Sequence, residues 1–257
     1  MAYQPFDLSG KVVLVTGGNR GIGLGMADAM AQAGADIVIW GSNAERNAAA
    51  KSRLEAHGNR VLAQQVDVSD EQAVVDGFAQ AVETMGRIDS VFANAGVGGS
   101  KNRSFMETPT EDYRRVLSVN LDGVFFTLRE AGRHMSQREG GGSLVVTASL
   151  AAIEGAARNQ AYAATKGAVI SMVRSCAVEL ARYGVRANAI LPGWIATDMT
   201  AAAQGNDAFT RKVLPRVPAR RWGEPEDFGG IAVYLASDAS RYHSGDTLVI
   251  DGGYAVF

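Results

Sequence analysis

The chain has 257 residues, 47% of them hydrophobic and 20% charged, which leaves room for one large α/β unit or two small ones. A formal charge of −2 gives no reason to expect nucleic acid or an anionic membrane as a partner, and no apolar run approaches the ~20 residues that span a bilayer. A single cysteine, Cys176, excludes an internal disulfide framework, and His57, His134 and His243 have no metal-ligand spacing, so no metal is expected. The first residues, MAYQPFDLSGK, lack a basic-then-apolar signal pattern, and a cytoplasmic location is expected.

Lys11–Thr16, KVVLVT, reads as a strand buried on both faces. The turn Gly17-Gly18-Asn19-Arg20-Gly21-Ile22-Gly23 follows, and then a helical segment that ends at Gly34. Strand, glycine turn and helix in that order form the setting of a dinucleotide site. Gly17 permits the tight turn, Gly21 lets the backbone approach a pyrophosphate, and Gly23 lets helix and strand pack closely. The helix N-terminus adds unclaimed N–H groups and a positive dipole end. The spacing is G-x-x-x-G-x-G rather than G-x-G-x-x-G.

Ala35–Trp40 is the second strand. An NAD enzyme places an acidic residue after it for the ribose 2′-hydroxyl. This chain has Gly41-Ser42-Asn43 there, with Arg20 and Arg46 nearby, so NADP is expected in preference to NAD, with NAD as the alternative. Either arginine equally fits a solvated surface charge. A helix over residues 44–58 leads to the third strand, Arg60–Val66, and to Asp67-Val68-Ser69-Asp70. Asp67 is placed to meet an adenine edge, and Asp70 reads as the N-cap of a helix over 71–85. The fourth strand, Ile88–Ala93, ends in Asn94-Ala95-Gly96, small residues where a cofactor lies close to backbone.

Residues 97–110 read as a loop, and Thr110–His134 as one long helix with Asn120 inside it, a poor position by propensity. The fifth strand, Ser143–Ala148, runs into Ser149. Tyr162 and Lys166 share one face of a helix over 160–182, and an ammonium beside a phenol favours phenolate, lowering a pKa of about 10. By itself Tyr-x-x-x-Lys is also the pattern of an ordinary amphipathic helix. Val185–Leu191 is the sixth strand, ending in Pro192-Gly193; residues 194–221 read as a lid, 225–236 as a helix, and Thr247–Ile250 as the seventh strand. Unbroken alternation predicts one α/β unit over 1–257, a doubly wound Rossmann-type sheet of seven parallel strands with helices on both faces.

TGGNRGIG at 16–23, NAG at 94–96, Asn120, Ser149, YAATK at 162–166, PGWIATDM at 192–199 and IDGGY at 250–254 resemble the short-chain dehydrogenase/reductase family along nearly the whole chain. The resemblance implies that Tyr162 is the general acid in reduction and the base in oxidation. Lys166 would lower its pKa and hold the nicotinamide ribose, Ser149 would bind the substrate oxygen, and Asn120 would keep a water linking Lys166 to solvent. It further implies adenosine-side contacts from Asp67 and Asn94, with Val68, Ala95 and Gly96 nearby. Carboxamide contacts would come from Pro192, Gly193, Ile195 and Thr197, and Asn19 and Ile22 would complete the glycine loop. A homotetramer is implied as well, in which the helices of Asn120 and Tyr162 pack against those of another subunit.

The branch resembled most is that of 3-oxoacyl-thioester reductases and gluconate- or sugar-type dehydrogenases. It implies an NADP(H)-dependent, 3-oxoacyl-thioester reductase-like enzyme acting on a carbonyl or secondary alcohol, with an NAD(H)-dependent sugar, polyol or gluconate-type dehydrogenase as the alternative. Substrate identity is expected to reside in Gly98–Arg103, Ala151–Asn159 and the lid. Glu154, Arg158 and Asn159 suit a hydroxylated or charged substrate or else face solvent. Arg211, Lys212, Arg216, Arg220 and Arg221 either attract an anion or form a solvated face. A nucleotide-binding regulator without chemistry is the remote alternative; the presence of Asn120, Ser149, Tyr162 and Lys166 together speaks against it.

Overall fold

A computed structural model describes residues 4–99 and 104–257. The strands are β1 (Val12–Thr16), β2 (Asp36–Gly41), β3 (Val61–Gln65), β4 (Ser90–Ala93), β5 (Gly142–Thr147), β6 (Val185–Pro192) and β7 (Thr247–Ile250). All pair in parallel in the order β3-β2-β1-β4-β5-β6-β7, as the alternation predicts. Strand order reverses between β1 and β4, which opens a crevice at their carboxyl ends.

The helices are α1 (Gly21–Gln32), α2 (Ala44–Glu55), α3 (Glu71–Met85), α4 (Thr110–Leu117), α5 (Gly123–Ser136) and α6 (Gln160–Glu179), then the short α7 (Ala201–Gln204) and α8 (Asp207–Val213), and α9 (Gly229–Ala236). They cover both faces of the sheet. Alternation along each strand divides its side chains between two cores. Val13 and Val15 of β1 join Met26, Met30 and Phe228. Val12 and Leu14 join Phe78, Leu128 and Val169 on the other side. Because β1 and β4 are buried along their whole length, the sheet is fixed in register and its carboxyl edge is a firm platform.

Two local features confirm or correct the expected elements. Asp70 caps α3 as anticipated, its carboxylate accepting from the backbone N–H of Gln72 and Ala73. The helix expected over 110–134 is interrupted, because Ser118–Asp122 form a π turn between α4 and α5. A π turn inserts one extra residue into the helical path. The tertiary reason lies in Asn120, which is wholly buried and whose amide takes both backbone groups of Val97.

Candidate active site

Threonines at two strand ends build the site's frame. The Thr16 hydroxyl accepts from the backbone N–H of Asn94 and Ala95, at 3.0 and 2.9 Å. The Asn94 side chain donates back to the Thr16 carbonyl at 3.1 Å and, more weakly, to that of Gly17. Its oxygen accepts from the Thr147 hydroxyl at 3.1 Å. The ends of β1, β4 and β5 are thus stitched together across the crevice. The Asn94 side chain is spent on this stitch and is not free for the adenosine contact expected of it. Neither Thr16 nor Thr147 was among the expected site residues; a threonine closing an apolar strand is the only local sign of either.

Lys166 of α6 is tied to the same frame. Its ammonium donates to the Thr147 carbonyl at 2.6 Å and lies 5.5 Å above the centre of the Tyr162 ring. Burial lowers its pKa from 10.5 to about 8. Tyr162 departs from the expectation. Burial of its hydroxyl end pushes the phenol above 10, and a hydrogen bond with Ser149 pulls only partly the other way. The lysine sits over the ring face rather than at the oxygen, and desolvation disfavours both charged forms. Ser149 caps the short turn Leu150–Ala152, accepting from the Ala151 N–H at 3.2 Å. Asn120 reaches Thr165 of α6 at 3.4 Å. A Cβ built on Gly96 would lie 3.4 Å from the Asn120 side-chain oxygen and 3.6 Å from the Lys166 nitrogen. Ser149, Tyr162, Lys166 and Asn120 therefore meet at the carboxyl edge, beside Gly96.

The glycine turn lies across the crevice from them. The first turn of α1 has no side-chain cap, which leaves its leading amides open to an anion. Gly21 adopts a left-handed φ of +51°, and a Cβ there would approach the Thr197 side chain at 3.3 Å. A Cβ on Gly23 would strike the Gly17 carbonyl at 2.3 Å and the Asn94 amide at 2.5 Å, so the loop closes on backbone alone. Ile22 packs partly buried against the core. These features fit a dinucleotide pyrophosphate.

The other expected contacts are placed as follows. Asn19 bonds Asn47 of α2 at 2.7 Å. Asn43 spends its side-chain oxygen capping α2, while the exposed Ser42 offers its carbonyl to Gln65. Asp67 is exposed and accepts from both the N–H and the hydroxyl of Ser69, whereas Val68 is buried. Arg20 and Arg46 both face Asp198, a residue of the PGWIATDM stretch for which the sequence suggested no role. Gly193 adjoins Asp251, Ile195 is buried beside Gly223, and Thr200 ties the turn by donating to the carbonyls of Ile195 and Thr197. Pro192 closes β6 opposite Ile250.

Trp194 meets Phe209, Trp222 and Tyr254 edge-on at 5.0, 6.0 and 6.4 Å. Of the basic residues at 211–221, Arg216 is held by the Tyr254 hydroxyl, Arg220 by the Pro215 carbonyl and Arg221 by Asp227; Arg211 and Lys212 are exposed. Lys101 and Arg103, in a segment expected to select the substrate, lie outside the described residues. Among the described residues no group of three or more His, Cys, Asp and Glu side chains is arranged to hold a metal.

A family model described as enoyl-(acyl carrier protein) reductase matches residues 17–255. A gluconate 5-dehydrogenase of Gluconobacter oxydans is 38% identical over 251 residues, 98% of this chain and 97% of the relative. The chain belongs to the short-chain dehydrogenase/reductase family. As a member of it, the protein is an oxidoreductase acting on CH–OH groups. Two further relatives bracket this short-chain dehydrogenase. The 3-oxoacyl-(acyl-carrier-protein) reductase FabG of Chlamydia pneumoniae is 38% identical over 246 residues, 96% of this chain and 97% of that protein. The crystal structure of a gluconate 5-dehydrogenase from Burkholderia cenocepacia, in complex with NADP and tartrate, superposes with a TM-score of 0.93 at 34% identity, covering 98% of each chain. No helix of the described residues is long and apolar enough to cross a membrane.

Proposed function

We propose that this protein transfers a hydride between NADP(H) and a small carbonyl or secondary alcohol, and that its substrates are polyhydroxy acids or sugars. The observation that carries the reading is the convergence of Ser149, Tyr162 and Lys166 beside Gly96 at the sheet edge. Bound cofactor supplies or accepts the hydride at its nicotinamide ring. The protein's own groups handle the oxygen and its proton. Ser149, already bonded to the Tyr162 phenol, holds and orients the substrate oxygen. Tyr162 donates its proton to that oxygen in reduction and receives it in oxidation. Lys166 keeps a positive charge over the tyrosine ring and is steadied by the Thr147 carbonyl. Asn120 supports this arrangement from the π turn through Val97 and Thr165, and would keep the water that the family resemblance implies between Lys166 and solvent.

The substrate class rests on the polar residues between Ser149 and Tyr162, namely Glu154, Arg158 and Asn159, and on the gluconate 5-dehydrogenase likeness. A second reading, reduction of a 3-oxoacyl thioester, is favoured by the reductase relative from Chlamydia pneumoniae. Preference for NADP(H) rests on the lack of a carboxylate at 41–43 and on Arg20 and Arg46; the Burkholderia cenocepacia enzyme, which holds NADP, supports it.

Residues 194–221 act as a lid over the substrate within a single catalytic unit. The protein works as a homotetramer in the cytoplasm, in keeping with apolar side chains exposed on α4, α5 and α6 (Tyr113, Phe125 and Val178) and with a free Cys176. A panel of keto-acids, keto-sugars and 3-oxoacyl thioesters with both cofactors separates the two substrate readings. Tyr162→Phe tests the chemistry: it keeps cofactor binding and loses nearly all turnover, and unchanged turnover would remove Tyr162 from the mechanism.

A further inference from the structure

The two arginines expected to meet a 2′-phosphate already have an anion. Asp198 follows Thr197 in the lid and reaches across the glycine turn. Its Oδ2 lies 2.8 Å from the Arg20 Nη1 and 3.9 Å from the Arg46 Nη1. Arg20 precedes α1 and Arg46 sits in the first turn of α2, so one carboxylate joins the glycine turn to the helix that follows β2. Among the described residues, no other carboxylate pairs with either of them. One acidic oxygen between two guanidiniums is the arrangement a phosphate oxygen adopts. All three side chains are half or more exposed, at 54% for Arg20, 50% for Arg46 and 66% for Asp198. The bridge is therefore open to exchange rather than locked in the core.

We propose that Asp198 is a specificity-determining residue that occupies the anion slot of the NADP(H) 2′-phosphate and thereby weakens the enzyme's preference for NADP(H) over NAD(H). The proposal rests on the reading that this protein binds a nicotinamide dinucleotide. A 2′-phosphate must displace the Asp198 carboxylate from Arg20 and Arg46 or endure a like charge beside it. The 2′-hydroxyl of NAD(H) has no such contest, and the bridge stays closed. Asp198 thus opposes one cofactor and is indifferent to the other. The bridge also ties the lid, through the residue next to Thr197, to the loop that faces the pyrophosphate. Binding of a 2′-phosphate would release the lid at this point, and binding of NAD(H) would not.

The test is fluorescence titration of wild type and Asp198→Asn with NADPH and NADH, with Asp198→Ser as a second variant. Calorimetry with adenosine 2′,5′-bisphosphate, which carries the phosphate without the nicotinamide, isolates the slot from the chemistry. An exposed ion pair and one removed like charge predict about fivefold tighter binding of NADPH and of the bisphosphate in Asp198→Asn, with NADH changed by less than about twofold. The gain should shrink as salt is raised. Wild type binding both dinucleotides, with the same affinity ratio in the variants, overturns the inference alone. So does weaker NADPH binding in the variants, which would mean that Asp198 orients Arg20 for the phosphate instead of competing with it. Wild type binding neither dinucleotide overturns the functional reading together with the inference.

Discussion

Lys166→Met should make the protein more stable while abolishing turnover. Burial moves the Lys166 pKa from 10.5 to about 8. At about 1.36 kcal/mol per unit, that shift corresponds to about 3 kcal/mol by which the fold disfavours the ammonium at neutral pH. The variant gives up the bond from the ammonium to the Thr147 carbonyl, which as a charged hydrogen bond is worth about 2 kcal/mol. Methionine is unbranched, of similar length and apolar, and fits the space of the lysine stem. The net expectation is a gain of about 1 kcal/mol, or about 2–4 °C in Tm for a chain of this size.

The pH dependence separates this cause from better packing. The folded-state pKa is the lower one, so Lys166 lowers stability fully below pH 8 and ceases to do so by pH 10.5. Thermal melts of wild type and variant from pH 7 to pH 10 should show a gap that closes as pH rises. A variant less stable than wild type at pH 7, or a gap that stays constant up to pH 10, refutes the reasoning.

Two other substitutions probe the frame around the site. Asn120→Ala removes a fully buried side chain and strips both partly buried backbone groups of Val97 of their partner, and should lower stability by about 2 kcal/mol, measured by urea unfolding; a loss below about 1 kcal/mol would mean that the π turn does not depend on this side chain. Gly23→Ala drives a methyl group against the Gly17 carbonyl and the Asn94 amide, and should lower stability by about 2 kcal/mol and weaken dinucleotide binding at least tenfold in a fluorescence titration; unaltered binding would show that the loop yields without loss of its shape.

The sheet was legible in the sequence because its strands are continuous apolar runs. Val12–Thr16 is buried at every position, so no alternation obscures it, and the glycine turn marks where it stops. The Tyr162–Lys166 pair was legible because helix periodicity alone puts the two residues on one face. What escaped notice depends on partners distant in the chain. Arg20 and Asp198 are separated by 178 positions, and no local pattern links an arginine in a turn to an aspartate in a lid. The π turn escaped for the same reason: residues 110–134 carry a helical pattern, and the pull that distorts it comes from Val97. The direction of the Tyr162 shift was misjudged because spacing conveys the presence of a charge but not the depth of burial, and here burial prevails.

The stitch made by Asn94 also bears on the order in which the molecule can be assembled. Thr16 is synthesised early, yet the groups that complete its end of the crevice, Asn94 and Ala95, lie 78 and 79 residues further on. β1 can pair with β2 as soon as both have emerged from the ribosome, but its other edge must wait for β4. Until then the glycine turn has no opposite wall, and the nascent chain exposes the unpaired edge of a strand that is apolar up to Thr16. Such edges invite pairing with other chains. The interval between synthesis of β2 and β4 is therefore the window in which this protein is most exposed to misassembly, and a slow translation rate between them would lengthen it.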